Sequence, residues 1–251
     1  MRIFVINLPQ SRERRENILG EFARFDLEPE IFPAVDGREL SPDRLRELIY
    51  RPEVNPLTPG EIGCALSHRT IYEKMRDENI PFAFILEDDS VLRLDPRPLL
   101  AGIAARPPDR PESFLLTHRN NLYVKSRPAG EIAGEKMYRI LNCYGANGYV
   151  ISRAAAKNLL AFQTPVRLAP DVWKLFQLHG LCAVAASERE YVGLGESLAG
   201  ESGIEGRLEN LPRMGRYLRT IRREAPLSRR LAYCLEKILI RPFQTLERTK
   251  G

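Results

Sequence analysis

The chain has 251 residues, 43% of them hydrophobic and 28% charged, a balance typical of one soluble globular domain with or without an appendage. No segment approaches the roughly 18 to 20 apolar residues that a transmembrane helix needs, and the N-terminus lacks the long apolar core of a signal peptide, so we expect a cytoplasmic protein. The four cysteines form no CxxC pair, which excludes the usual zinc-knuckle spacing and favours small buried thiols in a reducing compartment.

The net charge of +5 is unevenly distributed along the chain. Residues 207–251 contain 12 Lys and Arg against 4 Asp and Glu, whereas the preceding residues sum to −3. We therefore divide the chain into a main domain, 1–206, and a basic extension, 207–251. Such an asymmetry predicts an anionic partner for the extension.

Hydrophobic patterns and turn signals predict strands that alternate with helices through the first 190 residues. The predicted strands are 2–8, 30–35, 82–86, 113–117, 138–142, 148–152 and 182–186. The predicted helices are 11–25, 41–49, 58–79, 153–163 and 171–179. The alternation indicates a single α/β domain, and the spacing of leucines after residue 226 indicates an amphipathic helix in the extension.

Three consecutive carboxylates, Glu87, Asp88 and Asp89, follow the apolar strand 82–86. In open α/β sheets, ligands bind beyond the carboxyl ends of strands. If the strand continued, its alternation would place Glu87 and Asp89 on one face and Asp88 on the other. Two oxygen ligands without a nearby His or Cys in sequence suit Mg²⁺ or Mn²⁺, which commonly carries a diphosphate. The alternative is a solvated acidic loop.

Several sequence blocks occur in an order that resembles glycosyltransferase family 25, the sugar transferases of lipooligosaccharide biosynthesis. The blocks are INLPQSRERR (6–15), AVDG (34–37), LTPGEIGCALSH (57–68), ILEDDSV (85–91) and GYVISRAAAKNLL (148–160). The resemblance implies a GT-A type, Rossmann-like domain with a mixed, mostly parallel sheet. It also implies an inverting transfer of a hexose from a UDP-sugar, often UDP-galactose, with the help of Mn²⁺ or Mg²⁺.

The resemblance also implies roles for individual residues. Glu87 and Asp89 would hold the metal, with Asp89 as the preferred ligand, and Asp88 would contact the donor ribose or sugar. The residues that match the remaining donor-binding blocks are Asn7, Ser11, Arg12, Arg15, Asp36, Ser67 and His68. Among them Arg15 is the candidate for the diphosphate, and Asp36 the candidate for uracil or ribose.

The resemblance also implies that Asp171, in the segment LAPDVWK, is the candidate base that would take the proton from the acceptor hydroxyl. Its position also suits the N-cap of the predicted helix 171–179, and both interpretations stay open. Glu61 also has two possible roles. It could contact a ligand, or it could only cap the helix, because together with Thr58 it forms a capping-box pattern. Trp173 could stack on a sugar or lie in the core.

The basic extension is compatible with binding to an anionic membrane surface, where a lipooligosaccharide acceptor would be found. That location would make the protein peripheral on the inner membrane. Two other classes stay open, namely a non-catalytic module that binds nucleic acid or a membrane surface, and a metal-dependent phosphoesterase. The extension has no recognisable nucleic-acid motif, which argues against nucleic acid.

Overall fold

A computed structural model describes residues 1–118, 122–126, 128–143, 145–195, 210–240, 242 and 244–248. The described strands are β1 (Arg2–Asn7), β2 (Glu30–Pro33), β3 (Phe82–Glu87), β4 (Ser90–Leu92), β5 (Glu112–Leu115), β6 (Leu122–Val124), β7 (Gly130–Ile132), β8 (Glu135–Asn142), β9 (Gly148–Ser152), β10 (Ala183–Ser187), β11 (Val192–Leu194) and β12 (Leu246–Arg248). The described helices are α1 (Arg12–Ala23), α2 (Pro42–Leu48), α3 (Pro59–Asp77), α4 (Arg97–Ala104), α5 (Arg153–Phe162), α6 (Trp173–Leu178), α7 (Leu211–Glu224) and α8 (Leu227–Leu235).

Ten strands form one sheet in the order β12-β6-β8-β10-β5-β9-β3-β1-β2, with β7 paired to β8, while β4 and β11 pair separately. Pairing is parallel between β1 and its neighbours β2 and β3, and between β5 and β10. The other described pairs in this sheet are antiparallel. The predicted α/β architecture with a mixed sheet is confirmed.

Strand β3 runs through the middle of the core. Its residues Phe82 to Leu86 are all fully buried. Ala83 and Ile85 pack into the cluster on one face of the sheet, and Phe82 and Phe84 pack into the cluster on the other face. A strand that is covered on both faces has apolar residues at every position. This explains the continuous apolar segment 82–86 that precedes the three acids.

Helix α3 begins as its sequence predicts. The Thr58 hydroxyl accepts a hydrogen bond of 3.3 Å from the Glu61 amide, and a Glu61 carboxylate oxygen accepts one of 2.9 Å from the Thr58 amide. At Gly63 the backbone of the helix is in close contact with the backbone of the loop after β2. A Cβ at Gly63 would lie 2.4 Å from the Val35 carbonyl oxygen, so this contact requires glycine.

The basic extension divides into a packed part and an exposed part. The predicted boundary between 206 and 207 lies outside the described residues. Helix α7 buries Tyr217 and Ile221 in the main core, and the Tyr217 hydroxyl donates a hydrogen bond of 2.9 Å to the Arg167 carbonyl. Helix α8 and the π-helical turn after it leave Leu227, Leu231, Leu235, Ile238 and Leu239 more than half exposed.

None of the described helices combines the length and the apolar character that crossing a bilayer would require.

Candidate active site at the end of strand β3

The carboxyl ends of β1 and β3 border a cleft of about 310 Å³. Its wall contains eight charged side chains. The carboxylates that line it are Asp36, Glu61, Glu87, Asp88, Asp89 and Asp171, and the guanidinium groups are Arg14 and Arg38. Six carboxylates against two guanidinium groups give the cleft a negative potential, and a divalent cation would offset that potential.

The acidic stretch turns into the cleft instead of continuing as a strand. Strand β3 ends at Glu87, and β4 begins at Ser90. The two residues between them, Asp88 and Asp89, form a turn. The strand does not continue past Glu87, so the alternation considered for a longer strand does not apply, and all three acids line the same cleft. The turn is fixed from outside, because the Ser90 hydroxyl donates a hydrogen bond of 2.6 Å to the Asn147 carbonyl.

Asp88 is held by residues from the first strand and helix. The Asn7 amide donates hydrogen bonds to Asp88 Oδ2 at 2.7 Å and to the Ser11 carbonyl at 3.0 Å. Arg14 Nη1 lies 3.5 Å from Asp88 Oδ1. Burial raises the pKa of the Asp88 carboxyl, and the bonds from Asn7 and Arg14 work in the opposite direction.

Asp89 is in the opposite situation. Its Oδ1 is buried and has no hydrogen-bond partner among the described residues. Burial, followed by the charges of Glu87 and Asp88, raises the pKa of Asp89 to about 7. A divalent cation would bind the unpaired Asp89 oxygen and offset the charge of the neighbouring Glu87 and Asp88 carboxylates. The residues present therefore fit the expected metal.

Asp36 lies on the other side of the cleft, after β2. It accepts hydrogen bonds from the Arg38 guanidinium at 2.6 and 2.8 Å and from the Gln10 amide at 3.1 Å. The Arg38 bonds lower the pKa of Asp36, so this carboxylate is stable as an anion. Each oxygen of an ionised carboxylate has more than one lone pair, so Asp36 can still accept hydrogen bonds from hydroxyl or amide donors of a ligand.

The three arginines of α1 separate in the structure. Arg12 and Arg15, the predicted donor-binding pair, are exposed and do not line the cleft. The arginine of this helix that lines the cleft is Arg14. Ser11 contributes its backbone carbonyl, as the acceptor for Asn7, and makes no side-chain cap bond to α1.

Ser67 and His68 lie on α3 and have different surroundings. The fully buried Ser67 hydroxyl accepts a hydrogen bond of 2.8 Å from the Val35 amide and donates one of 2.8 Å to the Gly63 carbonyl, which ties the loop after β2 to the helix. His68 Nδ1 lies 2.7 Å from the Tyr149 hydroxyl, and its Nε2 lies 3.6 Å from Glu87 Oε1. His68 therefore faces Glu87 from behind the cleft.

Cys64 lies one helical turn before His68 and lines the cleft. Its sulfur is 3.9 Å from Glu87 Oε1. Burial raises the pKa of the Cys64 thiol well above its usual range, and the charge of Glu87 adds to the effect, followed by smaller contributions of Asp171, Asp89 and Glu61. The expectation of four buried thiols is confirmed at Cys143 and Cys182, holds in part at Cys64, which is half-buried, and is wrong at Cys234, which is exposed.

Asp171 lines the cleft from the segment before α6. The helix begins at Trp173, with Val172 at the N-cap and no side-chain cap bond at that position. The predicted start at residue 171 is thus two residues too early, and Asp171 is not the capping residue. Trp173 is fully buried and donates a hydrogen bond of 3.0 Å to the Gly145 carbonyl, which makes it a core residue.

Asn147 is a cleft residue that the sequence did not single out for a role. It is 4% exposed, and neither its amide nitrogen nor its amide oxygen has a hydrogen-bond partner among the described residues. An unsatisfied buried amide at a cleft points to a ligand hydroxyl or a bridging water. The sequence signal is weak, because Asn147 precedes β9 in a turn-rich segment without any periodicity.

A mixed α/β sheet with an acidic cleft beyond a central strand is typical of proteins that bind phosphorylated ligands through a divalent cation. The comparison with known families defines the class further. Residues 1–173 match the family described as "Glycosyltransferase family 25 (LPS biosynthesis protein)". The chain belongs to glycosyltransferase family 25.

The relatives of this chain include proteins from insects, bacteria and mammals. A "Glycosyltransferase 25 family member" of Drosophila melanogaster is 37% identical over 67% of this chain and 29% of its own length. The "Lipooligosaccharide biosynthesis protein lic2B" of Haemophilus influenzae is 32% identical over 63% of this chain and 62% of its own length. The human "Procollagen galactosyltransferase 2" is 36% identical over 35% of this chain and 15% of its own length. The chain thus matches less than two thirds of each of these relatives.

Proposed function

We propose that the protein is an inverting glycosyltransferase that moves a hexose, galactose by preference, from a UDP-sugar to a hydroxyl group of a lipooligosaccharide or related glycan. Family membership supports the reaction class. The names of the bacterial and human relatives support the acceptor and the sugar, respectively. The single observation that carries the proposal is the acidic cleft at the end of β3, with Asp89 unsatisfied inside it.

The charge of the cleft supports a role for a metal. A UDP-sugar brings a diphosphate to a wall that already contains six carboxylates, and its two arginines are close to Asp88 and Asp36. Without a cation, the diphosphate would be repelled. Glu87 and Asp89 are the proposed ligands of Mn²⁺ or Mg²⁺, which, when bound, would stabilise the negative charge of the leaving UDP.

The remaining donor contacts follow from the positions of the polar groups. Arg14 borders the cleft beside Asp88 and is the proposed partner of the diphosphate. Asn7 holds Asp88, so that Asp88 can accept a hydroxyl of the donor ribose or sugar. Asp36 is the proposed acceptor for the uracil or the ribose, and the Asn147 amide is a proposed partner for a sugar hydroxyl.

Asp171 is the proposed base. It lines the cleft together with Glu87 and Asp89. In an inverting transfer, a carboxylate takes the proton from the acceptor hydroxyl as that oxygen attacks the anomeric carbon opposite the leaving UDP. Asp171 precedes the N-cap residue Val172 of α6 and lines the cleft, which supports this role.

Turnover with different donors tests this proposal. The rate of UDP release is measured with UDP-galactose, UDP-glucose and other UDP-hexoses, with Mn²⁺ or with chelator, and with and without a glycan acceptor. We expect metal-dependent release that is fastest with UDP-galactose. Asp171→Asn should lower turnover by about 10² to 10⁴ and leave UDP affinity within about twofold.

The matched control is Asp77→Asn, because Asp77 is an exposed carboxylate at the end of α3 and is paired with Arg76. It should retain wild-type turnover. No UDP release from any UDP-hexose, or equal turnover in Asp171→Asn and wild type, would refute the proposed reaction or the proposed base.

We also propose that the α8 face, defined as Leu227, Leu231, Leu235, Ile238 and Leu239, binds an anionic membrane surface, so that the protein acts from the cytoplasmic side as a peripheral protein. The groove beside this face is lined by Arg219, Arg222, Arg223 and Arg230 together with Leu227 and Leu231. Exposed aliphatic groups bordered by guanidinium groups match acyl chains bordered by anionic headgroups.

A further inference from the structure

Three potential metal ligands from two elements meet at the base of the cleft. Cys64 and His68 are four residues apart on α3, which places them on the same side of the helix. Glu87 ends β3 directly opposite them. The sulfur of Cys64, a ring nitrogen of His68 and a carboxylate oxygen of Glu87 all lie within 4.8 Å of one another.

His68 provides the observation that points to a cation. The residue is 1% exposed, and its Nε2 has no hydrogen-bond partner among the described residues. The other ring nitrogen is 2.7 Å from the Tyr149 hydroxyl, which in turn is 2.7 Å from the Tyr72 hydroxyl. When Nδ1 donates to Tyr149, the Nε2 lone pair faces the Glu87 carboxylate at 3.6 Å, and two acceptors without a donor between them repel each other.

We propose that Cys64, His68 and Glu87 form a zinc site at the base of the cleft. Thiolate, imidazole and carboxylate are the three ligand types that zinc takes in proteins, whereas Mg²⁺ and Mn²⁺ prefer oxygen. A tetrahedral zinc ion with bonds of about 2.0 to 2.3 Å separates its ligand atoms by roughly 3.3 to 3.8 Å. The distances from Glu87 Oε1 to Nε2 of His68 and to the sulfur of Cys64 are 3.6 and 3.9 Å, close to that requirement.

The surroundings support the same conclusion. The hydrogen bond between His68 and Tyr149 is the type of contact that orients a zinc-binding imidazole from outside the ligand shell. Asp171 and Asp89, whose charges act on Cys64, add to the negative potential that attracts a dication. Cys64 and Glu87 both line the cleft, so the fourth coordination position is open to it for water or a ligand oxygen.

The site shares Glu87 with the proposed donor metal, and this has a functional consequence that rests on the proposed function. Zinc bound to Cys64 and His68 would draw the Glu87 carboxylate away from Mn²⁺. We therefore expect zinc to inhibit metal-dependent UDP release in the wild type. Binding of zinc itself is independent of that reaction, so the two ideas can fail separately.

Cobalt and zinc titrations of the metal-free 251-residue protein test the binding site. A thiolate bound to Co²⁺ produces an intense charge-transfer absorption in the near ultraviolet, which oxygen ligands do not produce. We expect one equivalent of Co²⁺ to produce this band and Zn²⁺ to displace it. Cys64→Ser should abolish the band, and His68→Gln should weaken zinc binding by at least about tenfold.

Cys234→Ser is the matched control, because Cys234 is an exposed thiol on α8. It should retain the cobalt band. The absence of a band in the wild type, or a band that is lost in Cys234→Ser and kept in Cys64→Ser, would overturn the proposal.

A second measurement on the wild type does not depend on whether a variant folds. The protein is alkylated with iodoacetamide with and without Zn²⁺ at an alkaline pH at which Cys64 of the zinc-free protein is measurably modified, because the raised pKa of this thiol slows its reaction at neutral pH. The modified cysteines are mapped by mass spectrometry. Zinc should slow the modification of Cys64 at least about tenfold and leave that of Cys234 unchanged. Equal rates of Cys64 modification with and without zinc would contradict the site.

Discussion

The amide of Asn7 donates a hydrogen bond of 2.7 Å to Asp88, a residue 81 positions further along the chain. Both residues are buried, Asn7 to 2% and Asp88 to 8% exposure. The bond connects the end of the first strand to the acidic turn, and a second bond from the same amide fixes the Ser11 carbonyl before α1. One side chain thus determines how two elements meet at the cleft.

We predict that Asn7→Ala lowers the free energy of unfolding by about 1 to 3 kcal/mol, because the buried Asp88 carboxylate loses a donor. Urea unfolding of the full chain measures this change. Asn158→Ala is the control, since the Asn158 amide donates to a backbone carbonyl at a half-buried position without a charged partner. An equal loss in the free energy of unfolding for the two variants would show that the hydrogen bond between Asn7 and Asp88 has no special importance for stability.

Arg14 and Arg15 provide a matched pair on one helix. We predict that Arg14→Gln weakens UDP binding about tenfold, because a charge-assisted hydrogen bond to the diphosphate is lost. Arg15→Gln should stay within about twofold of the wild type, since its side chain is exposed and outside the cleft. Calorimetric UDP titrations in the presence of Mn²⁺ measure both affinities. A larger loss of UDP affinity in Arg15→Gln than in Arg14→Gln would favour Arg15 as the partner of the diphosphate, as the sequence predicted.

The stability of the metal-free protein should depend on pH through Asp89. The pKa of Asp89 is raised from 3.8 to about 7 in the folded state, so the folded protein binds this proton more tightly than the unfolded chain. Stability from this group is therefore fully present below about pH 4 and is lost as the pH rises towards 7, by no more than about 4 kcal/mol.

Urea unfolding at pH 5 and pH 8 measures this loss, with Asp89→Asn as the comparison because it carries no titratable group. The variant should lose less stability between the two pH values than the wild type. Addition of Mn²⁺ at pH 8 should restore stability in the wild type only. The same pH dependence in both proteins would show that Asp89 is not the responsible group.

The α8 face should determine membrane binding. We predict that Leu231→Gln combined with Leu235→Gln weakens sedimentation with anionic vesicles by at least about tenfold, because two exposed aliphatic side chains no longer insert. Val54→Gln is the control, as Val54 is a 47% exposed apolar residue in another part of the protein. Added salt should weaken binding of the wild type to anionic vesicles. Equal sedimentation of wild type and double variant would contradict this role.

Local signals predicted most of the elements that surround the cleft. The uninterrupted apolar run of β3 and the Thr58 and Glu61 pattern of α3 both appear in the structure. These features were predictable because capping and burial act within a few residues of sequence. The leucine spacing of α8 predicted an amphipathic helix for the same reason.

The site depended on contacts that sequence spacing does not encode. Arg14 lies four residues before the buried Ile18, and Arg15 lies seven residues before the buried Phe22, so both arginines are compatible with the inner side of α1. Their separation follows from how the helix packs against the turn after β3. The proximity of Cys64, His68 and Glu87 likewise requires the packing of α3 on the sheet.

Binding of a UDP-sugar in the cleft through a cation held by Asp89 is measured by a calorimetric titration of UDP. The titration is made with and without Mn²⁺, in the wild type and in Asp89→Asn. We predict that Mn²⁺ tightens UDP binding in the wild type by at least about tenfold and has no effect in the variant. An equal UDP affinity with and without Mn²⁺ in the wild type, or an undiminished effect of Mn²⁺ in the variant, would contradict this mode of binding.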